Sequence, residues 1–133
     1  MKRSFGRNID VLQQIVAFTN DFFENEGTDS SVRYIVDLAI EELFTNMVKY
    51  NQETESDITI SISRVDDNIE VSLTDYGVDR FDPQEAAAVD IDAPLEDRSP
   101  GGLGLYLVLK MVDSILYQYR DRQSTITFTK RAA

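Results

Sequence analysis

Two neighbouring runs of alternating residues constrain the fold of this chain most. In "DITISISRV" isoleucine alternates with polar residues from Ile58 to Ile62, and in "NIEVSLTDYG" the apolar residues alternate from Ile69 to Leu73. This period of two predicts two strands that each present one apolar face. The turn residues 66–68 between them predict an antiparallel hairpin, and its apolar face must be covered by a second layer.

Two helical segments before the hairpin can supply that layer. "IDVLQQIVAFTNDFFEN" repeats apolar residues at spacings of three and four and ends before Gly27. "GTDSSVRYIVDLAIEELFTNMVKYN" does the same from Val32 to Met47, after a helix cap at Asp29 or Ser30. Both patterns predict amphipathic helices.

The remaining elements complete the fold prediction. A short edge strand is expected around Ser4–Gly6, and a second hairpin is predicted to turn at Arg120–Gln123. The segment "GGLGLYLVLKMVDSI" is apolar nearly all round, which predicts a buried helix. We therefore predict an α+β fold, a two-layer sandwich in which a mainly antiparallel sheet carries its helices on one face.

The 133 residues have the size of one domain, predicted to span 1–133. Within it, about 78–100 breaks the pattern, and Phe81–Pro100 offers only a short helical turn near Gln84–Val89. A stretch of this kind inside a compact domain is usually a functional lid or disordered.

Composition excludes several classes of function. The chain has 24 acidic and 13 basic residues, a formal net charge of −11, which speaks against nucleic acid as a partner. It contains no cysteine and no histidine, so disulfides, thiolate catalysis and histidine-ligated metals are excluded, and an oxygen-preferring cation such as Mg²⁺ is left. The lack of a signal-peptide pattern or of an apolar run long enough for a membrane span predicts a soluble, cytoplasmic protein without membrane contact.

The first segment with functional potential is "EELFTNMVKYN". Glu42 and Asn46 are four residues apart and therefore neighbours at the rim of the apolar helix face, with Lys49 just beyond. The carboxylate can accept a proton, and the amide oxygen can ligate Mg²⁺. The alternative interpretation is a solvated helix edge without a ligand.

Two further segments can contact a ligand. In "DYGVDRFDP" Asp75 ends a strand two residues before Gly77, so its carboxylate can accept a hydrogen bond from an exocyclic amino group, or can simply form a turn. In "SPGGLGLYLV" the glycines Gly101, Gly102 and Gly104 lead into a helix. Bare backbone amides at a helix start can bind phosphates, although a flexible hinge would have the same composition.

The order of these three segments resembles the GHKL superfamily of ATP-binding domains, named for gyrase, Hsp90, histidine kinases and MutL. Within it the chain is similar to the small stand-alone anti-sigma-factor serine kinases. "EELFTNMVKY" resembles the N-box of these proteins, "DYGVDRFDP" their first glycine box and "GGLGLYLVLKMVD" their second. The resemblance extends over essentially the whole chain and implies the histidine-kinase-like ATPase fold.

The resemblance implies roles for individual residues. Asn46 would coordinate the Mg²⁺ that bridges the ATP phosphates, Lys49 would contact a phosphate, and Asp75 would bind the adenine amino group, with Gly77 allowing the base to pack on the backbone. The backbone amides offered to the triphosphate would be those of Gly101, Gly102, Leu103 and Gly104.

Two implied contacts come from other parts of the chain. Arg98, in the ATP lid formed by Phe81–Pro100, would reach the γ-phosphate. Ser124 or Thr125 in the final hairpin would support the adenine aspartate, and Thr125 is the residue we select.

Glu42 distinguishes branches of this superfamily. Histidine kinases typically carry asparagine four residues before the metal-binding asparagine, whereas serine kinases and ATP-hydrolysing members carry glutamate, as here. Glu42 is therefore the predicted catalytic base. The chain departs from the serine kinases at Tyr50, where histidine is common, and at Asp79, which replaces the second glycine of the first box.

By this resemblance the chain is expected to be a homodimeric Mg²⁺–ATP-dependent protein-serine kinase. It would phosphorylate an anti-anti-sigma (STAS) partner and regulate a sigma factor. The alternative is an ATP-gated binding module that transfers no phosphate. A detached histidine-kinase catalytic domain is disfavoured because the chain has neither histidine nor a dimerising phosphoacceptor helix pair.

Overall fold

The computed structural model describes residues 1–52, 54–80 and 102–132, with the backbone alone at 102 and 103. Most of the predicted lid, with its helical turn near Gln84–Val89, lies outside the described residues. Arg98 and Gly101 lie outside them too.

Three α-helices are described, and their ends follow the signals in the sequence. A 3-10 turn, Ile9–Val11, leads into α1 (Leu12–Glu26), followed by α2 (Ser30–Tyr50) and, later in the chain, α3 (Gly102–Met111). Helix α1 stops at Gly27 because that residue adopts φ 64°, in the left-handed region that glycine tolerates. Helix α2 begins after Asp29, whose side chain accepts a hydrogen bond from the Ser31 amide at 2.8 Å.

Five strands form one sheet in the described part of the chain. They are β1 (Lys2–Phe5), β2 (Ile58–Val65), β3 (Asn68–Tyr76), β4 (Ser114–Arg120) and β5 (Gln123–Arg131). Their order is β1-β2-β3-β5-β4, and every neighbouring pair is antiparallel. Both predicted hairpins are confirmed. The predicted edge strand is present as β1, which starts at Lys2, two residues before the predicted start at Ser4.

The core lies between the sheet and the helices, as the two-layer prediction requires. The isoleucines of β2 and the alternating apolar residues of β3 are fully buried. From α2, Val36 and Leu43 pack into the same cluster. The α+β sandwich is confirmed, and α2 contacts the start of α3 through Glu42, while Asn51 at its end contacts the end of β3.

Helix α3 corrects one prediction. The sequence predicts burial on all sides, but among the side chains described from 104 to 111 only Leu105 and Val108 on one face are buried, and Leu107 is 45% exposed. A helix in the outer layer of a two-layer fold has one face to pack, whatever its composition. None of the described helices is long and apolar enough to cross a membrane.

Candidate functional site

Glu42 and Gly104, predicted as site residues from two different segments, lie in direct contact. A Cβ atom added to Gly104 would come within 2.5 Å of Glu42 Oε2 and 2.7 Å of Oε1. The carboxylate of α2 therefore lies against bare backbone in the first turn of α3, where only glycine leaves room. The first turn of a helix carries amides without intrahelical partners and the positive end of the helix dipole, so anions are stabilised there.

The environment of Glu42 changes its acidity. Partial burial raises the pKa of the Glu42 carboxyl, and the charge of neighbouring Glu41 raises it further. A carboxylate with a raised pKa holds a proton more strongly than an exposed one. The Glu42 carboxylate is therefore a stronger proton acceptor than an exposed glutamate.

Asn46 lies one helical turn beyond Glu42 and is buried. Its Nδ2 donates a hydrogen bond to the Glu42 carbonyl oxygen at 2.6 Å, which fixes the amide and leaves Oδ1 as the atom able to bind a cation. A lone amide oxygen suits Mg²⁺, which keeps several waters or phosphate oxygens as its other ligands. Among the described residues, no group of three or more acidic side chains is arranged to hold a metal.

Asp75 is completely buried at the end of β3, and both of its carboxylate oxygens have partners. Arg7 forms an ion pair with Oδ1, and Asn51 Nδ2 donates to Oδ2 at 2.9 Å. An ionised carboxylate offers about four lone-pair positions, so these two partners orient it and still leave acceptor capacity for an amino group.

Arg7 joins this site to the end of α2. Its guanidinium donates to the carbonyl oxygens of Met47 at 3.1 Å and Asn51 at 3.3 Å, and its Nε donates to that of Ser56 at 3.3 Å. The side chain is 7% exposed, so the charge pair with Asp75 is shielded from water. Sequence reasoning missed Arg7, since nothing in its local pattern marks it.

Asn51 was also missed, although a signal existed. It follows the last residue of α2 directly, and asparagine just past a periodic segment is a helix-end signal. That signal predicts where the helix stops but not that the side chain reaches Asp75.

The chain leaves β3 through Gly77, which adopts φ 69°. A Cβ there would lie 3.1 Å from Thr54 Oγ1, so glycine is favoured by conformation and by space. Two residues on, Asp79 forms an ion pair with Arg122 at 2.9 Å, and Arg122 also donates to the Gly77 carbonyl. The extra charge at Asp79 is therefore offset by a cation in the β4–β5 turn.

The strand register corrects the choice of Thr125 as support for Asp75. Residue 75 is paired with Ser124, whereas Thr125 is paired with Thr74, and their hydroxyls lie 3.3 Å apart. Because side chains alternate across a sheet, Ser124 shares the buried face with Asp75 and Thr125 faces the other side. The turn at Asp121 and Arg122, both with positive φ, sets this register.

The other predicted residues lie near the same region. Gly102 and Leu103 form the start of α3. Lys49 is exposed near the end of α2, with its ammonium 5.4 Å from the centre of the Tyr50 ring. The structure thus groups Glu42, Asn46 and Gly104 at one position and collects Asp75 with its partners near the end of α2.

Residues 7–130 match the family model described as the histidine kinase-like ATPase domain. The chain belongs to this family. The resemblance to the GHKL superfamily is therefore confirmed, as is the predicted fold.

Similar proteins agree with this assignment of the histidine kinase-like ATPase domain. The serine-protein kinase RsbW of Bacillus cereus is 34% identical over 98 residues, which are 70% of this chain and 60% of the relative. The chain thus spans about 60% of the length of that curated relative.

Two solved structures share the fold. The RsbU and RsbW domains of a Mycobacterium tuberculosis protein superpose with a TM-score of 0.71 at 18% identity, covering 98% of this chain and 32% of that one. The SiaB–SiaC complex of Pseudomonas aeruginosa gives a TM-score of 0.64 at 16% identity, covering 98% of this chain and 88% of the matched chain.

Proposed function

We propose that this histidine kinase-like ATPase domain is a Mg²⁺–ATP-dependent protein-serine kinase that phosphorylates an anti-anti-sigma (STAS) protein and regulates a sigma factor. The observation that carries the proposal is the contact between the Glu42 carboxylate and the first turn of α3. The contact supports the proposal because a carboxylate can accept a proton and the free amides of a helix start can bind phosphate. The name serine-protein kinase, borne by the RsbW relative, supports the same reaction.

Glu42 is the proposed catalytic base. It takes the proton from a serine hydroxyl as the serine oxygen forms its bond to the γ-phosphorus and the bond to the leaving ADP oxygen breaks. Bound ATP supplies the phosphoryl group, and Mg²⁺ offsets its negative charge. The raised pKa of Glu42 makes it a stronger base than an exposed glutamate.

The other residues bind and orient the nucleotide in this proposal. Asn46 Oδ1 holds the cation, and Lys49 and Arg98 contact phosphates. Asp75 accepts a hydrogen bond from the adenine amino group, beside Gly77. The amides offered to the triphosphate are those of Gly101, Gly102, Leu103 and Gly104.

The decisive experiment mixes the chain, γ-labelled ATP and a purified STAS-domain protein encoded in the same genome. We expect label on a serine of the STAS protein. If the two proteins bind each other only with ATP and no label moves, the domain is an ATP-gated binding module instead. The predicted homodimer and cytoplasmic location stay predictions, which sedimentation and cell fractionation can test.

Replacing Asp75 with asparagine should weaken ATP binding by about 10- to 100-fold, because the amino group of adenine loses a charged acceptor. The variant should also unfold more easily than the wild type, since Arg7 keeps its buried charge without a counter-charge. Calorimetric titration measures the affinity, at a temperature where circular dichroism shows both proteins folded. Asp67→Asn, in the exposed β2–β3 turn, is the matched control, and equal ATP affinity of the two variants would refute the assignment.

Gly104→Ala tests the contact with Glu42. The added methyl group would overlap the carboxylate, which must move because it is the flexible end of its side chain. We expect a folded protein whose label transfer falls about 100-fold, since a displaced catalytic group loses its alignment. Gly6→Ala, where the methyl group meets nothing within 4 Å, should transfer label normally. Transfer at the wild-type rate by Gly104→Ala would show that the contact does not position the base.

A further inference from the structure

A cleft of about 500 Å³ lies between α1 and α2 and shares no residue with the candidate nucleotide site. It is lined by α1 from Leu12 to Val16 and by α2 from Tyr34 to Glu41. Two of its apolar walls are open to solvent, since Val16 is 55% and Tyr34 65% exposed. Large apolar side chains left exposed together mark surfaces that bind other molecules.

The shape of the cleft follows from the helix period. On α2 it is lined by Tyr34, Asp37, Leu38, Ile40 and Glu41, and all of these except Ile40 fall on one helix stripe over two turns, or about 10 Å of helix. A groove of this length between two helices, with a largely apolar lining, is suited to a third helix that presents apolar residues at the same spacing.

Asp37 in this cleft has an unusual environment. Its Oδ1 is buried and accepts no hydrogen bond from the part of the chain that the structure describes. The hydroxyl of Thr19 donates to the Val16 carbonyl at 3.0 Å and also lies within hydrogen-bonding reach of the Asp37 carboxyl. Burial raises the pKa of Asp37 more than Thr19 and Arg33 lower it. Oδ1 of Asp37 is therefore an acceptor that a donor from a bound partner can satisfy.

The negative charge of the cleft favours a positively charged binding partner. Asp37 and Glu41 are the charged residues of its lining, and the whole chain carries a formal net charge of −11. A second copy facing this surface across a two-fold axis would bring the same two carboxylates, which repel each other. An anionic lipid surface would be repelled too. A cationic side chain is attracted and supplies the missing hydrogen-bond donor.

We propose that the cleft binds an amphipathic helix of a partner protein, whose apolar side chains enter between α1 and α2 and whose lysine or arginine donates to Asp37. The proposal does not depend on the nucleotide site or on phosphoryl transfer. Loss of kinase activity would leave it standing.

The test uses two labelled helical peptides of about 15–20 residues, long enough to form a helix. Both carry leucine at positions i, i+3, i+4 and i+7, one with flanking lysines and the other with glutamates. Fluorescence anisotropy with the full chain should show the basic peptide binding at least about tenfold more tightly. Amide chemical-shift changes on binding should concentrate in α1 and α2.

Asp37→Leu should weaken binding of the basic peptide by about tenfold or more, while its urea unfolding midpoint stays equal to the wild type or rises. A residue needed only for folding would lower that midpoint. Asp21→Leu, an exposed aspartate of α1 outside the cleft, is the matched control and should bind as the wild type does.

The proposal remains testable if Asp37→Leu does not fold, because Glu41 is exposed and Glu41→Gln should still weaken the basic peptide about threefold. Equal binding of the two peptides, or no binding of either, would overturn it. Self-association of the wild type that Val16→Glu abolishes would assign the cleft to a second copy instead.

Discussion

Replacing Glu42 with glutamine is expected to slow label transfer from ATP to the STAS protein by about 10²–10⁴-fold, the usual contribution of a general base. Glutamine keeps the size of the side chain and its fit against Gly104 but cannot accept the proton of the serine hydroxyl. ATP affinity should stay within about threefold of the wild type, because the proposed adenine and metal contacts are unchanged. Single-turnover transfer and calorimetric titration separate the two quantities.

The pH dependence of transfer gives a second readout for Glu42. The base works only when ionised, so transfer falls as the pH is lowered through its pKa. Burial and Glu41 raise the pKa, and the loss therefore begins at a higher pH than for an exposed glutamate. In Glu42→Gln the residual activity should lack this acid limb. Glu24→Gln, on an exposed part of α1, should retain both the rate and the limb. A Glu42→Gln variant as active as Glu24→Gln would exclude Glu42 as the base.

Arg7→Met is expected to reduce the free energy of unfolding by about 3–5 kcal/mol, the usual cost of removing one partner of a buried ion pair. Asp75 is fully buried, so without Arg7 its charge loses its ion-pair partner. The end of α2 also loses donors to the carbonyl oxygens of Met47 and Asn51. Urea denaturation measures the effect, and ATP binding should weaken with it because Asp75 loses its orientation.

Two comparisons make the Arg7 prediction specific. Arg64→Met removes an ion pair to Glu26 that is 4.0 Å long and more than a third exposed, and should cost no more than about 1 kcal/mol. The double variant Arg7→Met/Asp75→Leu removes both buried charges and should recover much of the stability, although not ATP binding. Equal stability losses for Arg7→Met and Arg64→Met would contradict a buried pair.

Local periodicity carried most of the fold prediction. The alternation in β2 and β3 predicted both the strands and their buried face. Alternate residues of a strand lie on the same face, so the isoleucines must share the face that packs against the core. The pairing of Glu42 with Asn46 was equally accessible, since it depends only on the helix repeat.

Local sequence patterns do not predict contacts between residues that are far apart in the chain. Arg7 is 68 residues from Asp75 in sequence, and no spacing rule connects a residue after an edge strand with the end of a central one. The choice between Ser124 and Thr125 depended on a one-residue register that the β4–β5 turn sets. The contact of Glu42 with Gly104 likewise became visible only when α2 and α3 packed together.

Helix α2 carries the consecutive residues Glu41 and Glu42 on different surfaces, one lining the α1–α2 cleft and the other facing α3. After burial, the charge of Glu41 is the second cause that raises the pKa of Glu42. Mobile cations gather around an exposed carboxylate and weaken its field, so ionic strength acts on the base through Glu41. Rising salt lowers the pKa of Glu42 and extends its ionised range toward acid. A helix bound in the cleft with a basic residue beside Glu41 would lower the pKa of Glu42 in the same way at constant salt. Both the ionic strength of the solution and a bound partner would therefore change the proton affinity of Glu42 through the same turn of α2.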